Sequence, residues 1–140
     1  KNITPYVYDS SNEYFNSGVS GTPFTSIIWS AYSKPHRRHS FTGRVSFYGI
    51  KKPMLRISQS PEIYHELSGS PFVSLYGSQS WAEDIAETAS FYHITSILKQ
   101  PYEIRVMKDQ RLLLSVRPMD SPAVRSRLSA LDVFYKQEAP

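Results

Sequence analysis

The segment from Phe72 to Tyr92 reads FVSLYGSQSWAEDIAETASFY and leads into the clearest helix signal in the chain. Ser80 is of a residue type that caps the starts of helices, and Glu83 follows three residues later, which is the pattern of a capping box. Lys99 stands two residues before Pro101, a residue that cannot continue a helix. The sequence therefore predicts one helix from about Ser80 to Lys99.

Two acidic side chains of this helix, Glu83 and Glu87, are four residues apart and therefore lie on one helical face. Ile85, Ala86 and Ala89 indicate that the helix packs into the domain, where two neighbouring acids repel each other unless a metal ion or a cation lies nearby. A simpler interpretation is that both acids favour the start of the helix dipole and that Glu83 serves the cap. The residues alone leave both interpretations open.

Shorter elements are predicted before and after this helix. Ser60, followed by a proline and an acid, predicts a helix that ends at about Leu67. The segments 102–107 and 111–116 alternate apolar and polar residues around a short polar turn, which predicts a β-hairpin.

A terminal helix is predicted from the cap at Asp120 to Pro122 up to about Lys136. Its core-facing positions are Val124, Leu128, Leu131 and Phe134 or Tyr135. The first sixty residues are interrupted by glycine and proline, so the apolar segments Thr25–Tyr32 and Arg44–Ile50 are predicted to form short strands or a packed irregular layer.

Length and composition indicate a single α+β domain. A chain of 140 residues with 40% apolar residues can build one modest core. Cysteine is absent, so any metal would have to be held by histidine or carboxylate groups. The net charge is +4, but the basic residues cluster tightly only at 34–39, and no nucleic-acid-binding motif accompanies them. No apolar run approaches the length of a membrane span. From these two observations, neither nucleic acid nor a membrane is an expected partner.

A resemblance to a known family rests on Tyr76-Gly77 and on Ala82-Glu83-Asp84-Ile85-Ala86-Glu87. This pattern resembles the third-ligand helix of gluzincin-type zinc metallopeptidases related to the anthrax lethal factor catalytic domain. In that family Tyr-Gly is followed by a few polar residues and then by Ala-Glu-x-x-Ala-Glu. The match covers about twenty residues and includes both glutamates, both alanines and the tyrosine.

The resemblance implies a zincin-like C-terminal subdomain that binds Zn²⁺ and acts on a protein or peptide substrate. Glu83 would be a zinc ligand, and Glu87 would hydrogen-bond a histidine ligand and fix its orientation. Tyr76 would be the catalytic tyrosine that stabilises the oxyanion formed at the substrate carbonyl. The small side chains of Ala82 and Ala86 would let the helix that carries the two histidine ligands approach closely.

That HExxH helix is absent from the sequence. The nearest string, His65-Glu66-Leu67-Ser68-Gly69, has glycine at the position of the second histidine. His36 and His39 are only three residues apart with no glutamate between them, and their surroundings predict a solvated basic loop. Since the chain begins at Lys1 and not at methionine, we expect residues 1–140 to be the C-terminal portion of a metallopeptidase domain whose HExxH helix lies upstream of residue 1.

Three functions remain as hypotheses. The first is zinc-dependent peptide-bond hydrolysis by the complete protein, in which this chain needs the HExxH-bearing segment as a partner and is inactive alone. The second is a non-catalytic binding module derived from a zincin fold. The third is a basic domain that binds nucleic acid or an acidic partner through residues 34–39, Lys51 and Lys52.

Overall fold

A computed structural model of the chain describes residues 23–48, 52 and 54–132. The architecture is α+β, with several helices and two small antiparallel strand pairs. The helices are α1 (Pro23–Ser26), α2 (Ser60–Gly69), α3 (Trp81–Tyr92) and α4 (Pro122–Leu128). The strands are β1 (Trp29–Ala31), β2 (Lys34–Pro35), β3 (Ile104–Lys108) and β4 (Arg111–Val116).

The first described segment is only partly the strand that its sequence predicts. Thr25 lies in α1, and the strand β1 covers only the later part of the predicted 25–32 segment, where it pairs with β2. Residues 44–48 form no strand and pack as an irregular layer, because Gly43 and Tyr48 adopt left-handed backbone conformations with φ of 71° and 57°. The last two residues of the predicted 44–50 segment lie outside the described residues.

Helix α2 is confirmed, but its cap differs from the prediction. A short 3₁₀ turn, Ile57–Gln59, leads directly into the helix, so the capping position is Gln59. The hydroxyl of Ser60 donates a hydrogen bond to the Ile57 carbonyl at 2.6 Å and therefore closes the preceding turn instead of capping the helix. The helix ends at Gly69, two residues beyond the predicted Leu67.

The predicted helix from Ser80 to Lys99 is confirmed in its position and in its start. Ser80 is the N-cap of α3, and its hydroxyl accepts a hydrogen bond from the Glu83 amide at 3.2 Å. After α3 the chain continues through a π-helical turn, His93–Ile97, and Lys99 ends the helical path with a left-handed φ of 55°.

The hairpin is also confirmed. Strands β3 and β4 pair antiparallel, from Ile104 opposite Val116 to Lys108 opposite Arg111. The two turn residues, Asp109 and Gln110, both have positive φ, at 49° and 62°, which is the geometry of a two-residue hairpin turn that follows the strand twist.

The terminal helix begins as predicted with Pro122 and continues through α4 into a 3₁₀ turn, Ser129–Leu131. Val124 and Leu131 are fully buried, and Leu128 packs at the edge of the core, as their spacing predicts. The part of the prediction that extends to Lys136, with Phe134 and Tyr135, lies outside the described residues. Ser121 does not cap the helix, because its hydroxyl donates to the carbonyl of Ser70 at 3.0 Å.

The core consists of two clusters that meet at residues 72 and 73. Phe72 belongs to the larger cluster, whose buried members also include Trp29, Phe41, Ile63, Leu67 and Trp81. Val73 belongs to the smaller cluster with Met119 and Val124. Because neighbouring side chains enter different clusters, the segment that precedes α3 is fixed from both sides, and this fixes the position of Tyr76 just beyond it. Among the described residues, no helix combines the length and the apolar character that crossing a bilayer requires.

Candidate functional site

The structure brings Tyr76 and Glu83 into direct contact. Tyr76 stands immediately before the turn Gly77–Gln79, and that turn leads to the start of α3. The phenol oxygen Oη of Tyr76 donates a hydrogen bond to Oε1 of Glu83 at 3.0 Å. This hydrogen bond, together with partial desolvation, raises the pKa of Tyr76 to about 12. The phenol therefore keeps its proton at neutral pH and remains a hydrogen-bond donor.

Glu87 is held by a second hydroxyl on the same side of α3. The hydroxyl of Ser74 donates to Oε2 of Glu87 at 2.8 Å and accepts a hydrogen bond from the Gly77 amide at 2.9 Å. Both glutamates are partly buried, and none of the ion pairs between described residues involves either of them. Each carboxylate thus has a neutral hydroxyl donor from the segment that precedes α3.

Gly77 allows that segment to lie close to the helix. A Cβ atom at this position would lie 3.3 Å from the Ser74 hydroxyl, 3.4 Å from Cβ of Glu87 and 3.6 Å from Cα of Asp84. Distances this short leave little room for a side chain. The glycine that follows Tyr76 therefore has a packing reason, which is the close approach of the turn to α3.

Tyr76 and Glu83 lie at the wall of an open cleft of about 450 Å³. Tyr32, Tyr48 and Gln79 line the same cleft, and Tyr48 is 86% exposed. We call this space the acidic cleft, because Glu83 is the charged residue that lines it among those described. The rings of Phe47 and Tyr48 meet the Tyr76 ring edge-on, with centroids 5.0 Å and 6.1 Å away. These contacts limit the orientation of the phenol.

The two alanines of the motif lie in different environments. Ala82 packs against the larger core cluster, whereas Ala86 is exposed. The prediction that this helix packs into the domain is confirmed, but the face of α3 that enters the core carries Trp81, Asp84 and Thr88, and Ala86 does not contribute to it. Ala86 lies on the accessible side of α3, between the two glutamates in sequence.

The described residues supply a single carboxylate, Glu83, to any metal bound in the acidic cleft. No group of three His, Cys, Asp or Glu side chains among residues 23–48, 52 and 54–132 is arranged to hold a metal ion. A zinc site normally has at least three protein ligands. Glu83 thus fits the part of one ligand, and the remaining ligands would have to come from residues outside this described set.

The histidines of the 34–39 segment occupy two environments. His36 is exposed and its Nε2 atom lies 3.1 Å from the Ser26 carbonyl. His39 stacks on the Phe41 ring with a centroid distance of 5.1 Å and meets Phe72 edge-on. The prediction of a solvated loop is right for residues 36–38 and wrong for His39, whose ring covers the edge of the aromatic core.

Glu66, of the string that most resembles HExxH, has a structural partner. It accepts hydrogen bonds from the amide and hydroxyl of Ser40, with the amide at 3.0 Å, and its Oε1 atom lies 3.5 Å from Nδ1 of His39. Burial lowers the pKa of His39. Burial opposes ionisation of Glu66, but the two hydrogen bonds from Ser40 outweigh this effect and lower its pKa. These contacts join α2 to the preceding loop.

A buried ion pair between Asp84 and Arg127 was not predicted from the sequence. Arg127 donates to both carboxylate oxygens of Asp84, with Nη1 to Oδ1 at 3.2 Å. The side chain of Arg127 is 2% exposed and that of Asp84 is 0% exposed. Trp29 Nε1 and the Thr88 hydroxyl also donate to this carboxylate, at 2.8 Å and 3.4 Å. One sequence signal was available: Arg127 follows Val124 by three positions, which places it on the core-facing side of α4.

Arg127 also connects the ends of the described fold. Its guanidinium donates to the Pro71 carbonyl at 2.7 Å and to the Phe24 carbonyl at 3.1 Å, and it lies 4.0 Å from the centroid of the Phe24 ring. Asp84, the sequence neighbour of the candidate ligand Glu83, is thus part of the structural core.

The chain matches no family model, no curated protein and no solved structure.

Proposed function

We propose that the complete protein hydrolyses peptide bonds with the help of zinc and that this chain is the C-terminal part of its zincin-like domain. In this proposal Glu83 is the third zinc ligand and Tyr76 stabilises the oxyanion. The observation that supports it most is the 3.0 Å hydrogen bond between Tyr76 and Glu83 at the wall of the open cleft. The proposal also uses the resemblance of the Tyr-Gly and Ala-Glu-x-x-Ala-Glu pattern to gluzincins.

Glu83 suits the role of a ligand because its carboxylate is partly accessible and its present partner is a neutral phenol. Zinc, when bound, would polarise a water molecule and the substrate carbonyl. Two histidine ligands, and a glutamate that acts as the general base, would come from an HExxH-bearing segment that is not among these 140 residues. Glu87, one helical turn beyond Glu83, would accept a hydrogen bond from the second nitrogen of a histidine ligand.

Tyr76 suits the role of a proton-bearing donor because a phenol has an ordinary pKa of about 10 and is therefore neutral at physiological pH even without Glu83. When Glu83 turns toward a cation, the hydroxyl of Tyr76 loses its acceptor and can donate to a substrate carbonyl oxygen instead. The edge-on rings of Phe47 and Tyr48 hold the phenol in the orientation that this exchange requires. A preorganised donor of this kind stabilises negative charge that develops on the carbonyl oxygen.

The experiment is a peptide-hydrolysis assay on the complete protein, with and without a zinc chelator. We expect the complete protein to hydrolyse the peptide, the chelator to abolish this activity, and added zinc to restore it. Tyr76→Phe should lower kcat by about 10² to 10³ while the bound zinc is retained, because the phenol acts mainly on the transition state. Tyr92→Phe, at the far end of α3, is the matched control and should keep normal turnover.

Two results would contradict the proposal. A Tyr76→Phe enzyme with undiminished kcat would leave the tyrosine a packing residue. If the complete protein does not bind zinc and does not hydrolyse peptides, the second hypothesis is favoured, a non-catalytic binding module derived from a zincin fold.

A further inference from the structure

A second cleft shares part of its lining, including Tyr76, with the acidic cleft. Its volume is about 570 Å³, which is within the roughly 300–1,000 Å³ typical of ligand sites. Its walls are mainly apolar and include Leu55, Ile57, Ile63, Leu75 and Ile104. Ile57 is 91% exposed, so a large apolar side chain faces water at this cleft. We call this space the apolar cleft.

Two arginines, Arg44 and Arg56, also line the apolar cleft, and no acidic side chain of the described residues does. Neither arginine takes part in any of the ion pairs formed between described residues. Arg44 is held in place by the carbonyls of Ser40 and Met54, at 3.0 Å and 3.5 Å. A guanidinium has five N–H donors, so these two contacts fix its position and leave donors for a carboxylate.

Tyr76 lines both clefts, as does Phe47. A peptide that lies over Tyr76 would therefore contact both Glu83 of the acidic cleft and the apolar cleft. The two sides differ in charge, since the acidic cleft carries a carboxylate and the apolar cleft carries two guanidinium groups. This asymmetry gives a bound peptide a preferred direction and a preferred composition.

We propose that the apolar cleft selects peptides with a large apolar or aromatic side chain next to an acidic residue. The apolar side chain would contact Leu55, Ile57 and Leu75, and the carboxylate would bind Arg44 and Arg56. Charge complementarity identifies the occupant, because an apolar side chain alone would leave two arginines with no anionic partner. The inference rests on the proposed function only in treating this peptide as the substrate.

The test is fluorescence anisotropy of labelled hexapeptides with the 140-residue chain, in the presence of a chelator so that no metal contributes. The central pair is Phe-Glu in the first peptide, Phe-Gln in the second and Ala-Glu in the third. We expect the Phe-Glu peptide to bind about tenfold more tightly than either of the others, since each loses one interaction of roughly 1.4 kcal/mol.

Two variants link this preference to the cleft. Arg56→Gln should reduce the difference between the Phe-Glu and Phe-Gln peptides, with Arg44 left as the remaining partner of the carboxylate, and Ile57→Ser should weaken both Phe peptides. Both side chains are exposed, so neither change should unfold the protein. Arg111→Gln, an exposed arginine of the hairpin that does not line the cleft, is the control and should bind all three peptides like the unmodified chain.

Equal binding of the three peptides, or no binding, would overturn the inference, as would an Arg56→Gln chain whose preference for Phe-Glu is undiminished. The result is separable from the test of hydrolysis. Binding with the expected preference would stand even if the complete protein had no peptidase activity. Hydrolysis by the complete protein without this preference would reject the apolar cleft and leave the proposed activity in place.

Discussion

Helix α3 carries acids on two faces whose surroundings differ completely. Asp84 is fully buried and receives hydrogen bonds from Arg127, Trp29 and Thr88. Its sequence neighbour Glu83 is partly accessible and has one described side-chain partner, the phenol of Tyr76. Two carboxylates that are adjacent in sequence therefore lie in different environments, because a helix turns successive residues by about 100°.

The difference shows how solvation separates a structural acid from a candidate ligand. Burial raises the pKa of Asp84, and the Arg127 guanidinium opposes that rise. A carboxylate so enclosed cannot exchange its partners without leaving a buried charge unpaired. Glu83 can exchange its phenol for a cation, because one hydrogen bond to a charged group contributes only about 1.5–3 kcal/mol net.

The largest effect is expected when this comparison is broken at the buried face. Asp84→Ala would leave Arg127 as an uncompensated buried charge and should lower the free energy of unfolding by about 3–5 kcal/mol. Glu83→Ala is the matched control and should cost no more than about 3 kcal/mol, the upper value for one hydrogen bond to a charged group. Urea unfolding of the two variants measures the difference. Similar losses for both variants would show that the two faces are not distinct.

Glu87 tests whether the accessible face acts as a unit. In the complete protein, Glu87→Gln should weaken zinc affinity about 10- to 100-fold, because it disturbs the orientation of a ligand without removing one. Competition with a fluorescent zinc chelator measures the affinity. Ser90→Ala, an exposed change one turn further along α3, is the control. Wild-type affinity in the Glu87 variant would limit that residue to its bond with Ser74.

Gly77 lies where the turn approaches both faces, near Asp84 and Glu87. Gly77→Ala should lower the free energy of unfolding by about 1 kcal/mol, the lower end for overpacking, because the new methyl group must displace the Ser74 hydroxyl. Thermal unfolding compared with Gly69→Ala, where a Cβ meets nothing within 4 Å, checks this expectation. A Gly77 variant no less stable than the Gly69 variant would contradict the packing reason for the Tyr-Gly pair.

The smallest effect concerns pH and the contact between His39 and Glu66. The pKa of His39 is lowered in the fold, so below about pH 6.5 the unfolded chain takes up its proton first and stability falls. The pKa of Glu66 is also lowered, so a further loss follows below about pH 4.5 as that carboxylate is protonated. The contributions of His39 and Glu66 to stability therefore both fall on acidification, whereas the raised pKa of Asp84 acts in the opposite direction.

Unfolding midpoints measured from pH 7 to pH 4 check this pH dependence. His39→Gln should flatten the upper window, and Glu66→Gln should flatten the lower one. His65→Gln, an exposed neighbour in α2, should leave the profile unchanged. A pH profile that none of these substitutions alters would assign the acid sensitivity to other groups.

Sequence patterns predicted the elements whose signals are local. The Ser80 cap, the alternation on either side of Asp109 and the proline that starts α4 each specify a helix or a hairpin within a few residues. Tyr76 and Glu83 were singled out by the resemblance of the motif to gluzincins, and their direct contact was not predicted from the sequence.

Contacts between distant segments were not predictable in this way. The pair formed by Asp84 and Arg127 spans 43 positions, and the rings of His39 and Phe72 also meet across a long stretch of sequence. Residues 44–48 were ambiguous because short aromatic segments suit a strand as well as an irregular layer. Tertiary packing decided each of these cases.

Zinc content of the folded Glu83→Ala form of the complete protein tests the central claim most directly. Elemental analysis gives the zinc per chain, and urea unfolding of the same sample shows whether the fold is retained. We expect the Glu83→Ala protein to lose its zinc and its peptide turnover together while it still unfolds in a cooperative transition. A Glu83→Ala protein that keeps a full complement of zinc would contradict it and would leave Glu83 as a surface acid bound to Tyr76.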